Sequence, residues 1–271
     1  MSGDFEPRID AYAATIPADY HPERNEDAKL INRHHQAFGV FDGVGKFGDG
    51  DIAAQLAARS IEQQLPHLPN NCRPAVMAKA LRALVMNTNS EILNHASGRG
   101  MGTTMTLAKL FTSDQGELTA AITSVGDSRA YLFRNEHLNP LTVDHTPIRQ
   151  EHGREYAATI QNALSDFESK TELTNDEFLA FFHRHIISSY LGRPAIEIES
   201  THLALKENDL LLLTTDGIHD NLNHSEMQRI LQIYPAIDAA TALTRAALSR
   251  SRDAQHDRAK SDDMTAVVVS I

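Results

Sequence analysis

The sequence predicts an α+β fold: a β-sandwich of two antiparallel sheets flanked by pairs of helices, four layers in the order αββα. Three observations predict it. Strand-like apolar runs come in clusters instead of alternating singly with helices, which argues against a parallel βαβ sheet. Helical spacing comes in paired blocks, one following residue 51 and one following residue 225. The chain closes on Met264-Thr-Ala-Val-Val-Val-Ser-Ile271, a β-branched run suited to a central strand.

The elements follow in order. Residues 8–16 and 28–41 read as strands, the second stretch split by Asn32-Arg-His-His35. From 51 to 65 the spacing turns helical, with Ile52, Leu56, Ile61 and Leu65 on or near one face. Pro66-His-Leu-Pro-Asn-Asn71 ends it. A longer helix starts near Pro74, where proline suits the first turn, and runs to about His95. Gly98-Arg-Gly-Met-Gly102 breaks it and opens strands at 103–111, 118–124 and 129–133, joined by turn chemistry at Ser113-Asp-Gln-Gly116 and Arg134-Asn-Glu-His137. Residues 146–191 are polar, helical and irregular. Strands return at 196–205 and 210–215, then one or two helices from 225 to about 251, a charged loop, and the final strand.

With 271 residues, no linker-like tract, no low-complexity block and no repeat, one domain over 1–271 is expected. The start, Met1-Ser-Gly-Asp-Phe-Glu6, has neither the basic residues nor the apolar core of a signal peptide. No apolar run approaches the roughly 20 residues that span a bilayer, so no membrane association is expected. The single Cys72 can form no internal disulfide, which fits a reducing compartment and makes the cytoplasm the expected location. A formal charge of −11 argues against nucleic-acid binding, which depends on Lys and Arg neutralising phosphates. Divalent cations would reverse the local sign of an acidic site, so anionic substrates stay open.

Three apolar runs end in aspartate. Leu210-Leu-Leu-Leu-Thr-Thr delivers Asp216 into a glycine, with Asp220 four residues on; Ala37-Phe-Gly-Val-Phe ends at Asp42-Gly43; Ile122-Thr-Ser-Val-Gly runs into Asp127. A carboxylate at the rim of a core is costly unless paired, so each wants a cation. Glu26-Asp27 precedes one apolar run and Asp262-Asp263 another. Hard cations such as Mg²⁺ or Mn²⁺ take such oxygen ligands, and two of them about 3.5–4 Å apart can activate a water for in-line attack on phosphorus. Glycine after Asp42 lets the backbone come close and frees the Gly43 carbonyl as a ligand.

In this order the motifs resemble the metal-dependent Ser/Thr phosphatases of the protein phosphatase 2C type, the PPM family, in a bacterial-like form. The resemblance rests on Asn25-Glu-Asp-Ala28, Phe41-Asp-Gly-Val-Gly45, Gly100-Met-Gly-Thr-Thr104, Val125-Gly-Asp-Ser-Arg-Ala-Tyr131, Leu141-Thr-Val-Asp-His145, Leu212-Leu-Thr-Thr-Asp-Gly-Ile218 and Ser261-Asp-Asp-Met-Thr-Ala-Val267, which span nearly the whole chain. It implies a β-sandwich flanked by helical pairs. It implies that Asp42 bridges two Mn²⁺ or Mg²⁺ ions, that Asp216 and Asp262 complete one site, and that Glu26 or Asp27 with the Gly43 carbonyl serves the other. Asp127 and Asp220 match positions that, with Asp216, hold a weaker third ion. A metal-bridging water would attack the phosphoserine or phosphothreonine of a protein directly, with Thr103 and Thr104 supporting the site. The partner so implied is a phosphorylated protein, with the enzyme opposing a Ser/Thr kinase.

Departures are also legible. The family's phosphate-gripping arginine slot is Pro22, with Arg24 two places later; either Arg24 substitutes or the metals bind phosphate alone. Val44 stands where many eukaryotic members have a histidine, and Asp263 where asparagine is usual. Residues 146–191 match the variable flap. His145, His152, His183 and His185 lack the partner set of a zinc site. The competing readings are a pseudophosphatase that binds phosphoproteins, suggested by Pro22, and a metal-dependent nuclease, disfavoured by the acidic charge.

Overall fold

The computed structural model describes residues 8–44, 48–96 and 100–271; Gly45 of one motif and Gly98-Arg99 ahead of another lie outside the described residues. In chain order the strands and helices are β1 (Asp10–Ile16), β2 (Asp27–Asn32), β3 (Ala37–Val44), α1 (Gly50–Gln64), β4 (Asn71–Cys72), α2 (Pro74–Ala96), β5 (Gly102–Thr103), β6 (Met105–Ser113), β7 (Leu118–Val125), β8 (Arg129–Arg134), β9 (His137–Pro140), α3 (Pro147–His152), α4 (Arg154–Asp166), α5 (Asn175–Phe182), β10 (Glu199–Ala204), β11 (Leu210–Thr214), α6 (Asp216–His219), α7 (His224–Ile233), α8 (Ala236–Ser251) and β12 (Met264–Ser270).

Two sheets form. One runs β1-β12-β11-β8-β9 and the other β10-β7-β6-β3-β2, with β4 and β5 added at its margins. Pairing is antiparallel except β4 on β6. The final strand is interior, as its β-branched sequence predicts: Val267 lies in register with both Ala13 of β1 and Leu213 of β11. Its alternate residues serve two cores, because successive side chains point to opposite faces. Val267 and Val269 meet Phe38, Val40, Leu211 and Leu213 between the sheets. Ala266 and Val268 meet Leu243 and Ala247 of α8. On the far side, α1 and α2 cover the second sheet through Ala53, Ala57, Ile61, Leu81 and Val85 against Phe41 and Leu107. The layers are therefore αββα.

The buried stripe of α1 differs from the expected one. Ala53, Ala54, Ala57 and Ile61 are fully buried, whereas Ile52 is 41% exposed. Small alanines let the helix approach β3 closely, and this turns Ile52 toward solvent. The strand expected at 196–205 is hydrogen-bonded only over Glu199–Ala204, with Ile196 and Ile198 packed against the α1/α2 core ahead of it.

Residues 146–191 fold into α3, α4 and α5. Arg149 ties this segment to the sandwich, donating to Glu197 (2.9 and 2.6 Å) and to Glu199, and Arg154 donates to Glu199 (2.9 and 2.6 Å). The β2–β3, β6–β7, β8–β11 and β11–β12 pairings bring the end of β3, the start of β2, the β7–β8 turn that joins the two sheets, the end of β11 and the start of β12 to one end of the sandwich. All the strand-end aspartates lie there.

Candidate metal centre

Asp42 continues the β3 face that carries Phe38 and Val40 into the space between the sheets. Across the ladder it lies in register with Asp27 of β2. Two carboxylates so paired repel unless a cation intervenes. Burial, and then the carboxylates of Asp216, Asp27, Asp262 and Asp127, push the Asp42 carboxyl well above its ordinary range. Asp27 is pushed up in the same way, by burial first and by Asp263 and Asp262, against bonds from Thr265 and Thr215 that favour its charge. Its Oδ2 accepts from the Thr215 hydroxyl at 2.8 Å, a link between the two sheets, while its Oδ1 is buried with no hydrogen-bond partner among the described residues.

From the first sheet, β11 ends in α6, whose single turn sets Asp216 and Asp220 four residues apart on one face. Asp216 Oδ1 is likewise buried without a hydrogen-bond partner among the described residues. Asp262 precedes β12; burial and Asp216 raise its carboxyl to about 7 despite the Lys260 ammonium beside it. Asp127 is raised by burial and then by Asp216 and Asp144. Asp220 alone moves down: burial opposes its charge, but Lys260 and Arg184 outweigh that.

The main chain is locked around these groups. Thr103 donates through its hydroxyl to the Asp42 carbonyl (2.9 Å), Thr104 through its amide to the same carbonyl (2.8 Å), and the Asp42 amide to Thr104 Oγ1 (3.0 Å). Both threonines are therefore committed to holding Asp42. Gly43 is required sterically: a Cβ there would lie 2.4 Å from the Gly50 carbonyl and 2.7 Å from that of Glu26. At Gly217 a Cβ would fall 1.9 Å from the Asp263 carbonyl. The Asp127 turn is clasped to the segment after β9 by Gly126 N–H to His145 Nδ1 (2.8 Å) and His145 N–H to the Gly126 carbonyl (2.9 Å). Burial and Arg149 hold the His145 imidazole down at about 4, so it serves this clasp as a neutral ring.

Asp263, unexpected where asparagine is usual, has a defined task. Its Oδ1 accepts from the Ala18 amide (2.7 Å) and its Oδ2 from the Glu26 amide (2.6 Å), so the carboxylate fastens the loop that presents Glu26. Glu26 itself stands on the outer side of the cluster, 3.3 Å from Arg24, and burial raises its carboxyl. Arg24 is held by the Gly48 carbonyl and by Asp51. The structure thus gathers Asp27, Asp42, Asp127, Asp216, Asp220 and Asp262, sets Glu26 at the margin, and leaves Arg24 engaged elsewhere.

Two cations of this end were missed by the sequence reading. Lys260 Nζ donates to Asp216 Oδ2 and to Asp220 Oδ2 (3.0 Å) and lies 3.0 Å from Asp262 Oδ2. Arg184 Nε lies 3.2 Å from Asp220 Oδ2, its guanidinium 4.0 Å above the Phe181 ring. Both arrive on loops with no periodic pattern; the only local signal was a lysine two residues ahead of Asp262. Among the described residues no three His, Cys, Asp or Glu side chains close to metal-holding distances. The remaining donors still fit a hard cation: buried, unpartnered carboxylate oxygens on Asp27 and Asp216, a disfavoured Asp42 charge, and a glycine that admits close backbone. Beside them a cavity of about 300 Å³ opens under α4 and α5, lined by Asp127, Asp216 and Asp220 on one wall and Ile160, Leu164 and Phe181 on the other.

The family model described as protein phosphatase 2C matches residues 6–155, more than half of the chain. The chain belongs to the protein phosphatase 2C family. A second model, stage II sporulation protein E, matches residues 187–271. The Ser/Thr phosphatase stp of Listeria monocytogenes is 25% identical over 78% of this chain and 83% of its own. The Ser/Thr protein phosphatase PstP of Mycobacterium tuberculosis is 26% identical over 88% of this chain and 42% of its own. In fold the chain is similar to Staphylococcus aureus Stp1 (TM-score 0.75, 23% identity, 98% and 96% of the two chains). It is also similar to the PstP catalytic domain solved with two manganese ions (TM-score 0.71, 23% identity, 97% of each). As a protein phosphatase 2C, the chain is a metal-dependent protein Ser/Thr phosphatase whose cofactor is Mn²⁺ or Mg²⁺. The pseudophosphatase alternative is not favoured.

Proposed function

We propose that the carboxylate cluster is this phosphatase's catalytic centre and that two Mn²⁺ or Mg²⁺ ions are held there by Asp42, Asp216, Asp262, Asp27 or Glu26, and the Gly43 carbonyl. The observation that carries this is the pair of buried oxygens, Asp27 Oδ1 and Asp216 Oδ1, that find no hydrogen-bond partner among the described residues, on the two carboxylates whose charge acts most strongly on Asp42. A buried carboxylate oxygen without a partner is costly, and a bound cation removes that cost. When bound, the ions supply an acidified water and neutralise the phosphoryl oxygens. The chain's own residues fix the rest: Thr103 and Thr104 hold Asp42 in place, Thr215 joins Asp27 to the opposite sheet, and Asp263 anchors the Glu26 loop. Arg24, committed to Asp51 and the Gly48 carbonyl, orients Glu26 instead of serving as the phosphate-gripping arginine.

The substrate in this reading is a phosphoserine or phosphothreonine protein made by a Ser/Thr kinase that this enzyme opposes in the cytoplasm. The segment 146–191 acts as the flap that selects it, since α4 and α5 roof the cavity beside Asp127. The chain works as one catalytic domain. Mn²⁺-dependent phosphate release from a phosphothreonine peptide, with Asp216→Asn as the comparison, tests the reading. Activity that requires metal and collapses in the variant supports it; Mn²⁺ binding without phosphate release overturns it in favour of a phosphoprotein-binding module.

A further inference from the structure

Among the described residues, Lys260 is the one lysine brought among the clustered carboxylates. Its ammonium has three donors, and three carboxylate oxygens from three residues surround it: Asp216 Oδ2, Asp220 Oδ2 and Asp262 Oδ2. The position is fixed by the main chain. The Lys260 amide donates to Asn221 Oδ1 (3.0 Å), and Asn221 Nδ2 donates back to the Lys260 carbonyl (2.9 Å) and to the Gly217 carbonyl (2.9 Å). Asn221 is fully buried, so this clasp ties the loop before β12 to the turn of α6. Asp220 meets a second fixed cation in Arg184. A divalent ion placed between Asp216 and Asp220 would have to displace one ammonium and sit beside a guanidinium. On the inner side the opposite holds: Asp216 Oδ1 and Asp27 Oδ1 meet no cation among the described residues.

We propose that Lys260 is a tethered cation that takes the place of a third divalent ion, so that this chain holds two metals, set by the inner oxygens, and not three. The proposal rests on the reading of the carboxylate cluster as the metal centre. Lys260 is on this account a positioning residue: it holds Asp216 and Asp262 through their outer oxygens and leaves Asp216 Oδ1 to the metals. It also makes Asp127 and Asp220 dispensable for metal loading, although they border the same cavity.

The test counts Mn²⁺ per folded chain after equilibrium dialysis at saturating Mn²⁺, for the natural chain, Lys260→Ala, Lys260→Arg, Asp220→Asn and Asp42→Asn. The expected counts are two for the natural chain, three for Lys260→Ala, and two for Lys260→Arg, which keeps a cation in place. Asp220→Asn stays at two, and this variant decides the matter should Lys260→Ala not fold, as judged by its thermal melt. Three ions on the natural chain, a fall in count on Asp220→Asn, or two ions on folded Lys260→Ala overturns the proposal. A natural chain that binds no Mn²⁺, or a count that Asp42→Asn leaves unaltered, instead overturns the metal-centre reading and the proposal with it.

Discussion

At one end of the sandwich the ammonium of Lys109 lies buried against the Leu110 carbonyl (2.8 Å) and the Asn70 side chain (3.3 Å), with no carboxylate among the described residues bonded to it. At the other end the ammonium of Lys260 lies among three carboxylates. Burial drops the Lys109 amine to about 8. Burial opposes the charge of Lys260 too, yet Asp216, Asp220 and Asp262 outweigh it and hold that amine well above its usual range. Residue type is the same and burial acts in the same direction; the local density of negative charge decides the outcome. One end tolerates a cation, and the other end is built to collect them.

The largest expected effect breaks the acidic end. Asp42→Asn should lower kcat/KM by about 10³-fold, the scale of losing metal-based charge stabilisation. The same variant should melt no lower than the natural protein in EDTA, because a neutral amide relieves a carboxylate that burial and Asp216, Asp27, Asp262 and Asp127 already disfavour. Steady-state kinetics and a thermal melt check the two halves.

Metal removal comes next. Saturating Mn²⁺ should raise the melting temperature, by about 2.7 kcal/mol of stability at a hundredfold excess over Kd, or roughly 5–10 °C for a chain of this size. A melt that ignores Mn²⁺ would remove the contrast between the two ends.

Lys109 sharpens the comparison from the tolerant end. Its folded-state amine titrates near 8 against an ordinary 10.5. Below about pH 8 the ammonium is charged in both states and the burial penalty is fully present. Between 8 and 10.5 the unfolded chain binds more protons, so stability rises with pH. Lys109→Met should therefore stabilise the fold at pH 7, by about 2 kcal/mol, and flatten that rise. Denaturant melts across pH 7–10.5 read both, with the metal centre kept saturated. The smallest effect belongs to Asp263→Asn, which leaves one acceptor for two backbone donors. It should cost about 1 kcal/mol of stability with metal bound, and weaken Mn²⁺ binding through the Glu26 loop.

The two ends also differ in how far sequence reveals them. Asp42, Asp127 and Asp216 are legible because each terminates an apolar run, and a strand that ends at the core rim fixes where its last side chain goes. Layer order follows from the same runs, as with Val267 and Val268 facing different cores. Lys260 and Arg184 were illegible. They reach the cluster from loops, and the bonds that place them, Asn221 on Lys260 and Phe181 under Arg184, join residues 39 and 3 positions apart in ways no period encodes. Asp263 was visible as an oddity, but its purpose lies with amides 245 and 237 residues away. The α1 face slipped for a smaller reason: alanines carry little hydrophobic signal, though they decide how closely a helix can lie on a sheet.

The most direct test is a crystal of the natural chain grown with Mn²⁺, with anomalous scattering recorded at the manganese edge. Two peaks beside Asp42, with Lys260 still among Asp216, Asp220 and Asp262, are the predicted result. Peaks away from Asp42, or manganese in place of the Lys260 ammonium, would contradict the account.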